Sequence, residues 1–189
     1  MYKLDFTKPV NVHFMGIGGI SMSGLAEILH DRGFKVTGSD RSKSSITEAL
    51  SKKGIDIKYG QVKENITDDI DLLVYTAAIS ADNEELLEAK RRGIECRSRA
   101  DMLGQIMKNY KVPIAVSGTH GKTTTTSMIA TILMEAESDP TVTVGGMLEC
   151  IGGNLKIGQS DLFLTEACEY TNSFLSFFPK IEVILNIEE

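Results

Sequence analysis

The chain has 189 residues, 42% hydrophobic and 24% charged, a globular composition long enough for one large domain or two small ones. Its net charge of -6 and pI near 5.2 exclude a general attraction to nucleic-acid phosphates or to an anionic membrane surface. The start, MYKLDFTKPV, has no basic segment leading into an apolar run, and no stretch approaches the roughly 20 apolar residues that span a bilayer. A cytoplasmic protein is expected. Cys96, Cys150 and Cys168 form no CxxC pair, and their odd number suits a reducing compartment. Each is read as a small apolar filler and not as a ligand.

In chain order, an apolar run from Val10 to Phe14 predicts a strand. It leads into a glycine turn, Gly16-Ile17-Gly18-Gly19, and then a helix through Ser23, Leu25, Ala26, Ile28 and Leu29 that stops at Gly33. Next come an apolar run at Lys35 to Gly38, a helix at Ser45 to Lys53 and a strand at Asp71 to Tyr75. A helix at Asn83 to Arg92 and a short strand at Ile94 to Arg97 complete the series. Such βαβ repetition reads as a small parallel sheet with helices on its faces. A helical stretch at Arg99 to Tyr110 bridges to a second unit, with the boundary placed near Asn109.

The second unit repeats the grammar. Val112 to Val116 gives way to Ser117-Gly118-Thr119-His120-Gly121 and then to a helix from Lys122 through Met128, Ile129, Ile132 and Leu133. Further apolar runs lie at Thr141 to Val144, Asp161 to Leu164 and Glu182 to Ile187, with Gly152-Gly153-Asn154 in a turn between the first two. The last run reads as a buried strand. Native domains seldom stop inside one, so a fragment of a longer protein is expected.

Gly16 and Gly18 after a strand permit a tight turn that brings backbone N–H groups close to a pyrophosphate at a helix start. The third glycine of the GxGxxG fingerprint is replaced by Ser21, which weakens a dinucleotide reading. Asp40 closes the second strand where that fingerprint places an acid. It either accepts hydrogen bonds from ribose hydroxyls or serves as a turn or cap residue.

Gly118-Thr119-His120-Gly121-Lys122-Thr123-Thr124 is the strongest signal. Its Gly-Lys-Thr core supplies a backbone cradle for phosphates, a lysine for the outer phosphoryl groups and a hydroxyl for Mg²⁺. The full GxxxxGK[ST] pattern would place glycine at position 116, where this chain has Val116, so the loop is a variant tightened by Gly118. A lysine at a helix start opposes the helix dipole, and a bound anion offsets that. His120 either touches phosphate or only completes the loop. Leu162-Phe163-Leu164 runs into Thr165-Glu166, placing a carboxylate near the end of a strand, where it can hold Mg²⁺ beside substrate phosphates. Two nucleotide-type loops in tandem imply two phosphorylated ligands. Kinase, synthetase and ligase satisfy that equally.

The residues Gly16 to Ala26, Gly38-Ser39-Asp40, Thr76-Ala77-Ala78-Ile79, Asp82-Asn83, Gly118 to Thr126, Asp139-Pro140-Thr141 and Glu166-Ala167-Cys168-Glu169 resemble the Mur ligase family, in order and over essentially the whole chain. The front Gly-Ile-Gly-Gly stretch narrows the resemblance to the branch that joins L-alanine to UDP-N-acetylmuramate. The resemblance implies an α/β fold: a Rossmann-like parallel-sheet domain for the UDP-sugar over residues 1–109, then a truncated P-loop-type central ATPase domain over 110–189. A third domain, and an Asp-His pair serving the metal site, would lie beyond Glu189.

The implied chemistry is ATP-dependent ligation through an acyl phosphate in peptidoglycan precursor synthesis, with UDP-N-acetylmuramate, L-alanine and ATP as substrates and Mg²⁺ as cofactor. By the match, Gly16, Ile17, Gly18, Gly19, Asp40, Thr76, Ala77 and Ala78 hold the UDP-sugar. Gly118, Thr119, His120, Gly121, Lys122, Thr123 and Thr124 hold ATP, Lys122 and Glu166 are catalytic, and Thr123 and Glu166 place the metal. The chain by itself is expected to bind UDP-sugar without turnover. Two departures stand out: Gly60-Gln61 replaces a Gly-His, and Glu137-Ser138 replaces a Gly-Leu, the latter read as surface variation.

Three other readings remain open. A related ligase attaches a recycled peptide to the same UDP-sugar. An NAD(P)-dependent oxidoreductase accounts for the first loop and Asp40 but not for Gly118 to Thr124. A binding module would take UDP-sugar only. An exposed sheet edge at the C-terminal end is expected to favour self-association.

Overall fold

The structure is a computed structural model that describes residues 3–167 and 174–187. Cys168 and Glu169, quoted above, lie outside the described residues. It is an α/β protein in two compact units, one of Asp5–Met102 and one of Met1–Leu4 with Leu103–Glu189.

The first unit contains β1 (Asn11–Met15), α1 (Ile20–Asp31), β2 (Lys35–Asp40), α2 (Ser45–Lys52), β3 (Asp56–Tyr59), β4 (Leu72–Tyr75), α3 (Glu84–Arg91), β5 (Glu95–Ser98) and the start of α4 (Arg99–Met107). Its five strands are all parallel in the order β3-β2-β1-β4-β5. The order reverses at β1, so a crevice opens at the carboxyl ends of β1, β2 and β4, the usual ligand position of an open parallel sheet. On one face Met15, Leu73, Ile66, Ile70, Leu86 and Ala89 form a closed apolar cluster. Each fully buried side chain of this kind contributes about 1.5–3 kcal/mol.

The second unit contains the rest of α4, β6 (Val112–Ser117), α5 (Lys122–Glu135), β7 (Thr141–Leu148), β8 (Gly153–Lys156), β9 (Leu162–Ala167) and β10 (Ile181–Ile184). Its strand order is β10-β6-β9-β7-β8, parallel throughout except for the antiparallel β7–β8 pair. Ile114, Val116, Val142, Val144 and Leu164 from the sheet pack on Ala130 of α5. Among the described residues no helix is long and apolar enough to cross a membrane.

The structure departs from the sequence expectations in several places. The division between units falls within α4, ahead of Asn109. β3 is an addition to the expected strands: Asp56-Ile57-Lys58-Tyr59 alternates polar and apolar residues, but the strand is only four residues long and, on the sheet edge, leaves Asp56, Lys58 and Tyr59 exposed. Gly153-Asn154 belongs to β8 and not to a turn. β10 is an edge strand with Ile181 and Ile184 46% and 58% exposed, which corrects the expectation of a buried strand over the last apolar run. Cys150 is exposed, so it fills no core, whereas Cys96 is half-buried.

Candidate functional site

At the carboxyl end of β1 the chain turns through Gly16 at φ +74°, a left-handed conformation that suits glycine. The turn is held by its own hydrogen bonds. Gly16 and Ile17 N–H donate to the Ser39 carbonyl at 2.8 and 3.1 Å, Gly19 N–H donates to Gly16 O at 3.1 Å, and Gly18 N–H donates to Asp40 Oδ2 at 2.8 Å. The Ile17 side chain is fully buried against Gly38, where a Cβ would come within 2.6 Å of Ile17 Cδ1. Gly38 is therefore part of the turn's architecture. No side chain caps α1, so the first-turn N–H groups of Ile20, Ser21 and Met22 form its open positive end.

Asp40 and Thr76 converge on this turn. Asp40 braces the turn through Gly18, and Thr76 comes close to Gly16 from the end of β4, where its Oγ1 accepts from Ala78 N–H at 3.2 Å. Ala77 and Ala78 complete the Thr76–Ile79 turn, closed by Ile79 N–H to Thr76 O at 3.1 Å. Of the two sequence readings of Asp40, the hydrogen bond seen here is that of a turn-organising acid. Gln61, the departing residue, accepts from Asn83 Nδ2 at 3.0 Å, and Asn83 in turn caps α3.

The second loop leaves β6 through Gly118 at φ +143° and ends at Gly121, the left-handed N-cap of α5. No side chain caps α5. Lys122 folds back so that Nζ donates to the Gly118 and Thr119 carbonyls, bridging the loop it follows. Thr123 and Thr124 are exposed on the first turn of α5. His120 is exposed, and its backbone is clasped by Asn186: N–H donates to Asn186 Oδ1 at 3.1 Å and the carbonyl accepts from Asn186 Nδ2 at 3.0 Å. Asn186 had no motif to mark it in the sequence. A cavity of about 530 Å³ beside the loop is lined by Ser117, Gly118, Thr119, Phe177 and Asn186, among others.

Glu166 lies on β9 with Oε1 buried and without a hydrogen-bond partner. Its other oxygen is 3.1 Å from where a Cβ of Gly145 would stand, and Thr123 is the nearest side chain to a Cβ at Gly146, 3.8 Å away. Glycine at 145 thus leaves room for the Glu166 carboxylate and glycine at 146 faces Thr123, roles that a double glycine inside a strand signals weakly in sequence. No group of three His, Cys, Asp or Glu side chains able to hold a metal occurs among the described residues. A buried carboxylate oxygen without a donor nonetheless fits Mg²⁺, which takes one or two carboxylates and completes its shell with water and substrate phosphates.

The model of the Mur ligase family catalytic domain matches residues 11–111, and that of the Mur ligase middle domain matches 116–189. The UDP-N-acetylmuramate–L-alanine ligase of Agathobacter rectalis is 61% identical over 188 residues, covering 100% of this chain and 41% of the relative. That of Clostridium kluyveri is 62% identical over 184 residues, covering 97% and 40%. Among solved structures, the UDP-N-acetylmuramate-alanine ligase MurC of Thermotoga maritima superposes with a TM-score of 0.83 at 34% identity, over 92% of this chain and 40% of that one. A murein peptide ligase of Psychrobacter arcticus gives 0.85 at 26% identity, over 95% and 43%. The chain spans about 40% of the length of the curated relatives it matches. With both family models in register over the two loops just described, the chain belongs to the Mur ligase family.

Proposed function

We propose that this chain serves an ATP-dependent carboxylate–amine ligation in the cytoplasm, joining L-alanine to UDP-N-acetylmuramate during peptidoglycan precursor synthesis. The observation that carries the reading is the whole-chain identity of 61% to a relative named for that reaction. In the reaction a carboxylate oxygen of the sugar attacks the γ-phosphorus of ATP and ADP leaves. The L-alanine amine then attacks the acyl carbon and phosphate leaves. A carboxylate becomes a good electrophile only once its oxygen is a leaving group, and two anions must meet to make it so.

Lys122, already directed at the loop interior, would exchange its carbonyl partners for phosphoryl oxygens. Thr123 and Glu166 would hold Mg²⁺, which supplies charge neutralisation at the phosphoryl oxygens when bound. In the first unit the glycine N–H groups are already bonded within the chain, so the diphosphate is received by the open N–H groups of Ile20, Ser21 and Met22. Asp40 and the Thr76–Ile79 turn border that position.

The test is calorimetric titration of the chain with UDP-N-acetylmuramate, with NADH and Mg²⁺-ATP in parallel. Saturable binding of the UDP-sugar is expected. Binding of NADH without response to the UDP-sugar would overturn the reading and assign the first unit to the oxidoreductases.

A further inference from the structure

Glu85, in the first turn of α3, is fully buried, and the chemistry proposed above makes no use of it. A buried carboxylate is costly unless its oxygens are bonded, and here both are. Ser39 Oγ donates to Oε2 at 2.6 Å and Asn65 Nδ2 donates to Oε1 at 2.6 Å. His13 Nε2, also buried, lies 3.6 Å from Oε1. The helix start adds its partial positive charge, and Asn83 Oδ1 accepts from the Glu85 N–H at 3.0 Å.

What these partners touch next gives the network its direction. The carbonyl of Ser39 is the acceptor that fixes Gly16 and Ile17. Asn65 Nδ2 also donates to Gly60 O at 2.8 Å, Gly60 N–H donates to Asp40 O at 2.9 Å, and Asp40 Oδ2 accepts from Gly18. Asn83, which caps the Glu85 N–H, holds Gln61 through its amide. One carboxylate therefore stands beneath both the 16–19 turn and the Gly60-Gln61 loop.

We propose that Glu85 is a positioning residue that locks the 16–19 turn and the Gly60-Gln61 loop in a single register, and so sets affinity for a nucleoside diphosphate reaching across both. The proposal rests on the nucleotide-sugar reading of this unit. A carboxylate is required because two donors, from β2 and from the segment before β4, need two separate acceptor oxygens, whereas an amide offers one.

The experiment compares the chain with Glu85→Gln, Ser39→Ala, Asn65→Ala and the Glu85→Gln/Ser39→Ala double variant, titrated with UDP-N-acetylmuramate and with UDP. Each single change weakens binding about tenfold, the scale of one lost buried hydrogen bond. The double variant loses no more than about twofold beyond its worse parent, because both changes break one link. Unchanged affinities, or losses that multiply in the double variant, overturn the proposal. Amide hydrogen exchange without ligand gives an independent arm. Gly16, Ile17 and Gly60 exchange faster in Glu85→Gln while β4 amides keep their protection, and uniform change or no change overturns the proposal. If the UDP-sugar fails to bind the unaltered chain, the nucleotide-sugar reading falls and the exchange arm still decides whether Glu85 holds the two loops. Should Glu85→Gln fail to fold, the Ser39 and Asn65 variants test the two links separately.

Discussion

Gly18 N–H donates to Asp40 Oδ2 at 2.8 Å, and a Cβ added at Gly18 would stand the same 2.8 Å from that oxygen. The two residues therefore occupy one space that closes only when position 18 has no side chain. Gly18→Ala is expected to push the carboxylate off the turn and weaken UDP-N-acetylmuramate binding about tenfold, as for loss of a charge-assisted hydrogen bond. Asp40→Asn keeps an acceptor oxygen and is expected to retain the fold and most of the affinity. Calorimetry on both variants checks this, and an undiminished Gly18→Ala would show that the brace has no bearing on the ligand.

In the second unit, Lys122 Nζ bridges the Gly118 and Thr119 carbonyls, so its charge is already aimed at the loop it would neutralise around phosphate. Lys122→Ala is expected to weaken Mg²⁺-ATP binding by at least about tenfold, since it removes the one point charge of the loop. UDP-N-acetylmuramate binding should stay within about twofold, because the 16–19 turn belongs to the other unit. Equal loss of both ligands would contradict the assignment of separate sites.

The two glycine-rich turns were legible as structure because each is a local pattern: a strand, glycines that tolerate positive φ, and a helix start. The Ser39–Glu85–Asn65 network was not. Its members are 46 and 20 residues apart in sequence and meet only because the fold brings together β2, the Lys63–Asn65 turn and α3. Asn186 was missed for the same reason, since its amide finds the His120 backbone only after β10 pairs with β6. Edge strand β3 does alternate, as Asp56-Ile57-Lys58-Tyr59, but four residues between a helix and a glycine are too short a run to stand out as a strand.

Glu88 offers a test by pH. Hydrogen bonds first from Arg91 and then from Arg92 hold its carboxyl down to about 2 from an ordinary 4.5. A depressed folded-state value contributes stability that is complete above the unfolded value and is lost as pH falls through the folded one. The urea midpoint of the unaltered chain should thus exceed that of Glu88→Gln at about pH 5 and converge with it toward about pH 2. Added salt should shrink the gap, because the pair is at the surface. A gap that widens on acidification would contradict the sign.

Cys150 is exposed, while burial pushes the half-buried Cys96 thiol up. Thiolate fraction and access both govern alkylation. A maleimide at neutral pH should label Cys150 before Cys96, as read by peptide mass spectrometry, and faster labelling of Cys96 would count against the structure at β5.

Glu137 is exposed, in keeping with surface variation, and it also stands at a helix-cap position. α5 ends in a Schellman arrangement, with Glu137 N–H donating to Met134 O and Ser138 N–H to Leu133 O, each at 3.0 Å. That motif requires a left-handed residue just past the cap, and Glu137 adopts φ 52° there. A non-glycine residue in this region is disfavoured by roughly 1–2 kcal/mol, because its Cβ crowds the following carbonyl. Glycine removes that cost but loses more freedom on folding, by roughly 0.5–1 kcal/mol. Glu137→Gly is therefore expected to stabilise the chain by about 0.5–1 kcal/mol, raising Tm by about 2–4 °C per kcal/mol with an unchanged denaturant slope. Glu137→Ala keeps the Cβ and should bring no such gain. If glycine destabilises and alanine does not, the chain does not turn left-handed at this position, and the Gly-Leu expected there would owe nothing to the cap.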